Sequence, residues 1–392
     1  MPRSLLLLAF AHSSFGAPAV QKLGVYDYFT EETTPVIFNG ALLVLESIPT
    51  AYAGFDPSFS HCSAYFRVRD LHTLRVLVNI TATCGMAFGA ASVIPGASGG
   101  SDTLLVTGTQ WDRRSAAARR GFGEGWSGPC AGTKPTCTIV RGFIFRPALA
   151  PPPPSPFVAP TYTPPAPAPQ NLFASSDPTL QDASWVSRAP GIPIPFGVYN
   201  TDPMPVPPSA GFPWAWVMAL ETTSETARFL ASAAADPLDV GAWQVLDASH
   251  TVPRLPDVGS CPSLRHDGGY FYYLTGGSNI HILRSADLVA WTESQRFVIA
   301  HADPGDCVVA PAWFGPYVPT GEALARISAC GKEGSFGDDS DVDLVQWDAP
   351  YGEQGGGPAV LLEYGSGDQR TFGFSNLALA NGTMAAFLQS FF

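Results

Sequence analysis

The stretch Gly259–Ser294 reads GSCPSLRHDGGYFYYLTGGSNIHILRSADLVAWTES, and it decides the fold class. It divides into three strands separated by turns. The first strand runs into His266-Asp267-Gly268-Gly269, a tight-turn signal. The second is the aromatic run Tyr270-Phe271-Tyr272-Tyr273. The third, His281-Ile282-Leu283-Arg284, ends in Ser285-Ala286-Asp287-Leu288, with Trp291 three positions on. Asp-Gly and Gly-Gly pairs supply the positive φ values that short hairpins need, and aromatic residues favour a pleated, half-buried surface.

Similar units recur on both sides. A first has Thr34–Gly40, Leu42–Glu46 and Tyr65–Leu74. A second has Phe88–Ala91, Leu104–Thr109 and Thr138–Gly142. A third has Phe196–Asp202, Ala215–Glu221, Arg228–Ser232 and Trp243. The stretch quoted above is the fourth, and a fifth has Ser340–Trp347, Ala359–Tyr364 and Phe374–Ala378. Three units end in a related phrase: Arg69-Asp70-Leu71 with Leu74, Asp236-Pro237-Leu238 with Trp243, and Ser285-Ala286-Asp287-Leu288 with Trp291. In a radial array the polar part of such a phrase caps a turn while its apolar part packs between neighbouring sheets. Five units of roughly 50 to 80 residues, insertions included, predict an all-β, five-bladed β-propeller. A plain β-sandwich is the alternative architecture.

Composition agrees. Among 392 residues, charged side chains make up only 14% and aromatic ones 12%, with 39 Gly and 38 Pro. That mixture suits many short strands joined by tight turns and argues against a helical bundle. A formal charge of -12 argues against a nucleic-acid partner, which needs clustered Lys and Arg. Arg3, the apolar run Leu5–Phe10 and the small residues to Ala17 read as a signal peptide over residues 1–17, and the run is too short to span a bilayer. The mature chain, 18–392, is then one propeller. The Pro- and Ala-dominated segment 147–170 is an insertion between blades, since such a run cannot join a sheet interior. Seven cysteines fit an oxidising compartment; Cys62 with Cys84, and Cys130 with Cys137, are the plausible pairs. No CxxC spacing points to zinc. The sequons at Asn79 and Asn381 agree with export. A secreted monomer without a membrane span is the expectation.

At these residues the chain resembles the five-bladed propeller glycosidases, the group around glycoside hydrolase families 43, 32, 62 and 68. The phrase Cys261-Pro262 ahead of the aromatic hairpin, the Ser285–Trp291 phrase and Ser340-Asp341-Val342-Asp343-Leu344 carry the resemblance. It implies hydrolysis of arabinose-, xylose-, galactose- or fructose-containing glycans by acids on the inner strands of different blades. Glycoside hydrolysis needs one carboxyl held protonated and another ionised. The departures from the family pattern are specific. Thr34 precedes Pro35 where an Asp is expected in the first blade, with Glu31 and Glu32 just upstream. Asp202 matches the tuning Asp of the third blade. Gly259-Ser260-Cys261-Pro262 carries no carboxylate where the family has its acid. The substitute set is Glu32 as base or nucleophile, Asp202 as tuner, and Asp341 as acid or sugar-hydroxyl ligand. Asp343 shares a strand face with Asp341 by the period of two. Asp343, His266 and Trp216 are candidates for substrate contact, although propeller tryptophans usually pack between blades. No cofactor or resident metal is expected; Asp338–Asp343 lacks EF-hand spacing, and an axial calcium stays open without being visibly encoded. The alternative to a glycosidase is a carbohydrate-binding propeller that has lost the general acid. A propeller used for protein contact is a third.

Overall fold

The computed structural model describes residues 20–28, 31–49, 56–71, 73–96, 100–110, 170–188, 191–222, 226–255, 262–276, 279–300, 342–347, 357–366 and 374–392. Residues 1–17 and nearly all of the segment 147–170 lie outside these, as do Cys130, Cys137 and Asp341.

The described chain is almost entirely β and forms five antiparallel sheets. The N-terminal strand β1 (Gln21–Tyr28) stands apart from the first sheet and is described below with the last. Blade I is β2 (Glu31–Phe38), β3 (Ala41–Pro49), β4 (Ala64–Asp70) and β5 (Val76–Ile80), in that order. Blade II places β6 (Met86–Ala87) and β7 (Ala91–Ile94) along one edge of β8 (Thr103–Gln110). Its outer strands are β9 (Asn171–Ser175) and β10 (Val186–Ser187). Blade III is β11 (Val198–Pro205), β12 (Trp216–Thr222), β13 (Ala227–Ser232) and β14 (Trp243–Val245). Blade IV is β15 (Ser263–Asp267), β16 (Tyr270–Thr275), β17 (Asn279–Ser285) and β18 (Trp291–Glu293), with β19 (Ile299–Ala300) pairing the start of β17. Blade V is β20 (Val342–Trp347), β21 (Ala359–Ser366) and β22 (Phe374–Asn381), completed on the outside by β1. A short helix, α1 (Met384–Gln389), follows.

The five first edges form a closed ring. β2 lies against β7 and β20, β11 against β7 and β15, and β15 against β20. Five apolar cores fill the spaces between successive blades, I–II, II–III, III–IV, IV–V and V–I. The second strand of a blade feeds two of these cores at once. In β12, Trp216, Met218 and Leu220 enter the II–III core, while Val217 and Ala219 enter the III–IV core. In β21, Val360, Leu362 and Tyr364 face blade IV, and Ala359 and Leu361 face blade I. Side chains alternate across a strand, so a sheet sandwiched on both faces is apolar on both of them along most of its length. That is why LLVL, WVMAL and VLL are continuous runs.

The recurring turn phrase acts as its residues suggest. Asp287 Oδ1 accepts from the backbone N–H of Val289 and Ala290, both at 2.9 Å, while Leu288 is fully buried. Trp291 lies parallel to Phe229 of blade III with centroids 6.0 Å apart. Asp70 accepts from Thr73 N at 2.7 Å, and Leu71 and Leu74 enter the V–I core. Asp236 accepts from Leu238 N at 2.9 Å, and Trp243 enters the II–III core. At the β15–β16 hairpin, Gly268 and Gly269 have φ of 56° and 84°, the left-handed conformation that glycine adopts without a Cβ penalty. Cys62 and Cys84 form a disulfide with a Cα–Cα distance of 5.2 Å. No helix among the described residues is long and apolar enough to cross a membrane.

Candidate active site

Three adjacent inner strands contribute one charged side chain each to a common point. Asp202 comes from β11 in blade III, Arg265 from β15 in blade IV and Asp343 from β20 in blade V. Asp202 is 1% exposed and Asp343 6%. Asp202 Oδ2 accepts from the Leu264 backbone N–H at 2.5 Å and from Arg265 Nη1 at 3.0 Å. Asp343 Oδ1 accepts from Ser263 Oγ at 2.8 Å, from Leu344 N at 3.1 Å and from Arg265 Nη2. Burial is the main influence on Asp202. It raises the pKa to about 7; the nearby Arg265 charge opposes the rise, and the Asp343 charge adds to it. Among the described residues, Asp202 Oδ1 and Asp343 Oδ2 have no hydrogen-bond partner. Each carboxyl therefore spends one oxygen on the guanidinium and keeps the other.

Local sequence explains the convergence. Ser263 and Arg265 alternate with Leu264 and His266 along β15. The first pair faces blade V, where Ser263 and Arg265 both meet Asp343. Leu264 enters the III–IV core, and the His266 ring lies edge-on to Phe271 and Phe212, at centroid distances of 4.9 and 6.5 Å. Both His266 ring nitrogens are enclosed without a partner among the described residues, and burial holds the imidazole below its ordinary pKa. His266 thus stands beside the acid cluster in sequence but faces away from it.

The remaining candidates are placed as follows. Trp216 is 3% exposed in the II–III core, and its Nε1 donates to Ala235 O at 3.1 Å. The indole has no open face for a sugar, so its position is one of interblade packing. Glu32 belongs to β2, where the register with β3 shifts between Glu31 and Thr33, and its side chain lies outside the described residues. Asp341 and most of the acidic run considered for calcium lie outside them as well. Among the described residues, the only grouping of metal-type donors is His61 with Cys62 and Cys84, and those two sulfurs are joined to each other.

A second charged cluster is wholly buried. Arg67 and Arg69 of β4 share Glu46 of β3 and Asp27 of β1. Arg69 Nε lies 3.1 Å from both Glu46 oxygens, and its Nη2 lies 2.5 Å from Asp27 Oδ2. This cluster fastens the outer strand of blade V to blade I. It is too enclosed to meet a substrate, since no member exceeds 5% exposure.

No protein-family model matches this chain, and no curated protein matches it. Solved structures do share its architecture. The GH43_1 enzyme from Xanthomonas citri complexed with xylose is 11% identical, with a TM-score of 0.44, covering 94% of this chain and 92% of that one. The sialidase of Trypanosoma rangeli in complex with sialic acid is 8% identical, with a TM-score of 0.37, covering 93% and 59%. The Aleuria aurantia lectin in complex with Fucα1-6GlcNAc is 7% identical, with a TM-score of 0.36, covering 90% and 80%. At these identities and scores the likeness carries no functional argument, and what the site does rests on its own geometry.

Proposed function

We propose that this protein is a secreted, glycoside hydrolase-like propeller that cleaves an O-glycosidic bond of an oligo- or polysaccharide. The observation that supports this is the meeting of Asp202 and Asp343 on Arg265, with one oxygen of each carboxyl uncommitted among the described residues. A carboxyl with a pKa of about 7 carries a proton for part of the time at neutral pH, which is what protonating a leaving oxygen requires. Asp202 is the proton carrier in this reading. Glu32, on the inner strand of blade I, is the base, and Asp341 and Asp343 hold sugar hydroxyls. The Cys62–Cys84 bridge agrees with an oxidising compartment.

One observation favours a second reading, a carbohydrate-binding propeller without turnover. β15 opens on Ser263-Leu264-Arg265, with no carboxylate, and both described acids of the cluster are deeply buried. Assay of the secreted chain on aryl furanosides and pyranosides and on xylo-, arabino-, galacto- and fructo-oligosaccharides separates the two. Hydrolysis of at least one substrate is expected, and Asp202→Asn lowers it by about 10²–10⁴-fold. No turnover with saturable sugar binding establishes the second reading, and neither turnover nor binding removes both.

A further inference from the structure

We propose that Arg265 is the positioning residue of this site: its single guanidinium fixes both carboxyls and sets how readily Asp202 takes up a proton. The proposal rests on the reading of Asp202 and Asp343 as the working acids, and it adds the group that controls them. Arg265 Nε donates to Leu344 O at 3.2 Å. Nη1 donates to Asp202 Oδ2 at 3.0 Å and to Leu264 O at 2.7 Å. Nη2 donates to Asp343 Oδ1 and to Leu344 O at 2.8 Å. A guanidinium has five N–H groups, and all five are engaged. Arg265 therefore has no donor left for a sugar, and its part is to hold other groups in place.

The charges define what it holds. Two buried carboxyls on one cation leave the cluster at net charge −1 when both are ionised and at zero when one is protonated. Without the cation, two buried like charges face each other, and one proton is bound far more tightly. The other strands packed on β11 add little. β7 and β8 carry no titratable side chain, and β12 offers only Glu221, two positions beyond Ala219, the partner of Asp202. On β15, His266 points into the III–IV core and Asp267 accepts from Gln389, the last residue of α1. Among the described residues, Arg265 and Asp343 are thus the charged groups that act on Asp202. Lysine cannot replace the fork, because an ammonium is a point charge and cannot hold two carboxyls and two carbonyls in one plane.

The test is carboxyl-detected NMR titration of the full chain, labelled at Asp, with the Asp202 signal assigned by Asp202→Asn. In Arg265→Gln the Asp202 midpoint is expected to rise by about 1–3 units. In Arg265→Lys it is expected to fall between wild type and the Gln variant. An unchanged midpoint in a folded Arg265→Gln chain overturns the proposal. If that variant does not fold, a Lys variant that titrates like wild type overturns it. The readout does not require activity. A shifted midpoint with no turnover on any glycoside keeps the role of Arg265 and removes the hydrolase reading. Where turnover is present, the limb of the pH–rate profile assigned to Asp202 moves with the midpoint.

Discussion

Asp202 Oδ2 and Arg265 Nη1 stand 3.0 Å apart across the boundary between blades III and IV, and the backbone N–H of Leu264 reaches the same oxygen. Attraction on this scale ordinarily lowers a carboxyl pKa. Here burial outweighs it, and the pKa rises to about 7. The folded state therefore prefers the protonated acid, whereas the unfolded chain ionises near pH 4.

The sign of the pH effect follows. Between about pH 4 and 7 the native state binds more protons at this site than the unfolded state, so its contribution to stability falls as pH rises. The loss amounts to a few kcal/mol on the order-of-magnitude conversion of a pKa shift. Asp202→Asn removes the ionisation and keeps an acceptor for Leu264 and Arg265. The stability of the variant relative to wild type is expected to improve from pH 4 to pH 8 in parallel thermal melts. A difference that stays level or declines over that interval contradicts the assignment.

The buried cluster of blade I behaves in the opposite direction. Burial alone raises the Glu46 pKa, but Arg67 and Arg69 more than offset this and hold it below the ordinary value. Its contribution is present above the ordinary Glu range and is lost as pH falls through the lower folded value. Glu46→Gln leaves two buried guanidinium groups with one described carboxylate partner, Asp27. Denaturant unfolding at pH 7 is expected to show a loss of about 3–5 kcal/mol, with a smaller further loss on acidification than in wild type. A loss under about 1 kcal/mol at pH 7 argues that the cluster is not what fastens β1.

The five blades were legible because their signals are local: a turn phrase, glycine hairpins and continuous apolar strands. The closure of blade V by Gln21–Tyr28 was not, because pairing between opposite ends of a chain leaves no mark on either segment. The Gly259–Pro262 phrase points to an absent blade IV acid and not to Arg265, three residues on. A usable signal was present: an arginine within a five-residue inner strand must find counter-charges or remain outside the sheet. Arg67 and Arg69 in YFRVRD, and Glu46 after LLVL, carry the same signal. Trp216 opens a strand buried on both faces, where a large aromatic residue is core by default. Asp202 and Asp343 are candidates because the repeat marks the inner strands. Their shared partner required the ring to be closed.

The Cys62–Cys84 bridge spans 22 positions and packs into a small apolar cluster of Ile48, Phe59, Cys62 and Tyr65. In the chain-entropy account, a loop of this length is worth about 3 kcal/mol. A Cys62→Ala, Cys84→Ala double variant is expected to lose roughly that in denaturant unfolding. Faster hydrogen exchange is expected between Asp56 and Tyr65, with blades III and IV unchanged. Equal exchange throughout that segment in variant and wild type rules out a local clamp.

Trp216 supplies the sharpest contrast between packing and recognition. Its ring is buried in the II–III core, which also holds Leu105, Leu172, Met218 and Trp243, whereas Trp214, two residues earlier, is half-buried and stacked parallel on Phe212 at 5.4 Å. Trp216→Ala is expected to cost about 3–5 kcal/mol, the usual range for removing a core indole. Sugar affinity, measured by calorimetry on the folded fraction, is expected to stay within about twofold of wild type, a change under 0.5 kcal/mol. Trp214→Ala should cost less stability, since part of its surface is already in water. A Trp216→Ala chain that melts like wild type yet loses sugar binding would return this side chain to the ligand and show that the II–III core closes without it.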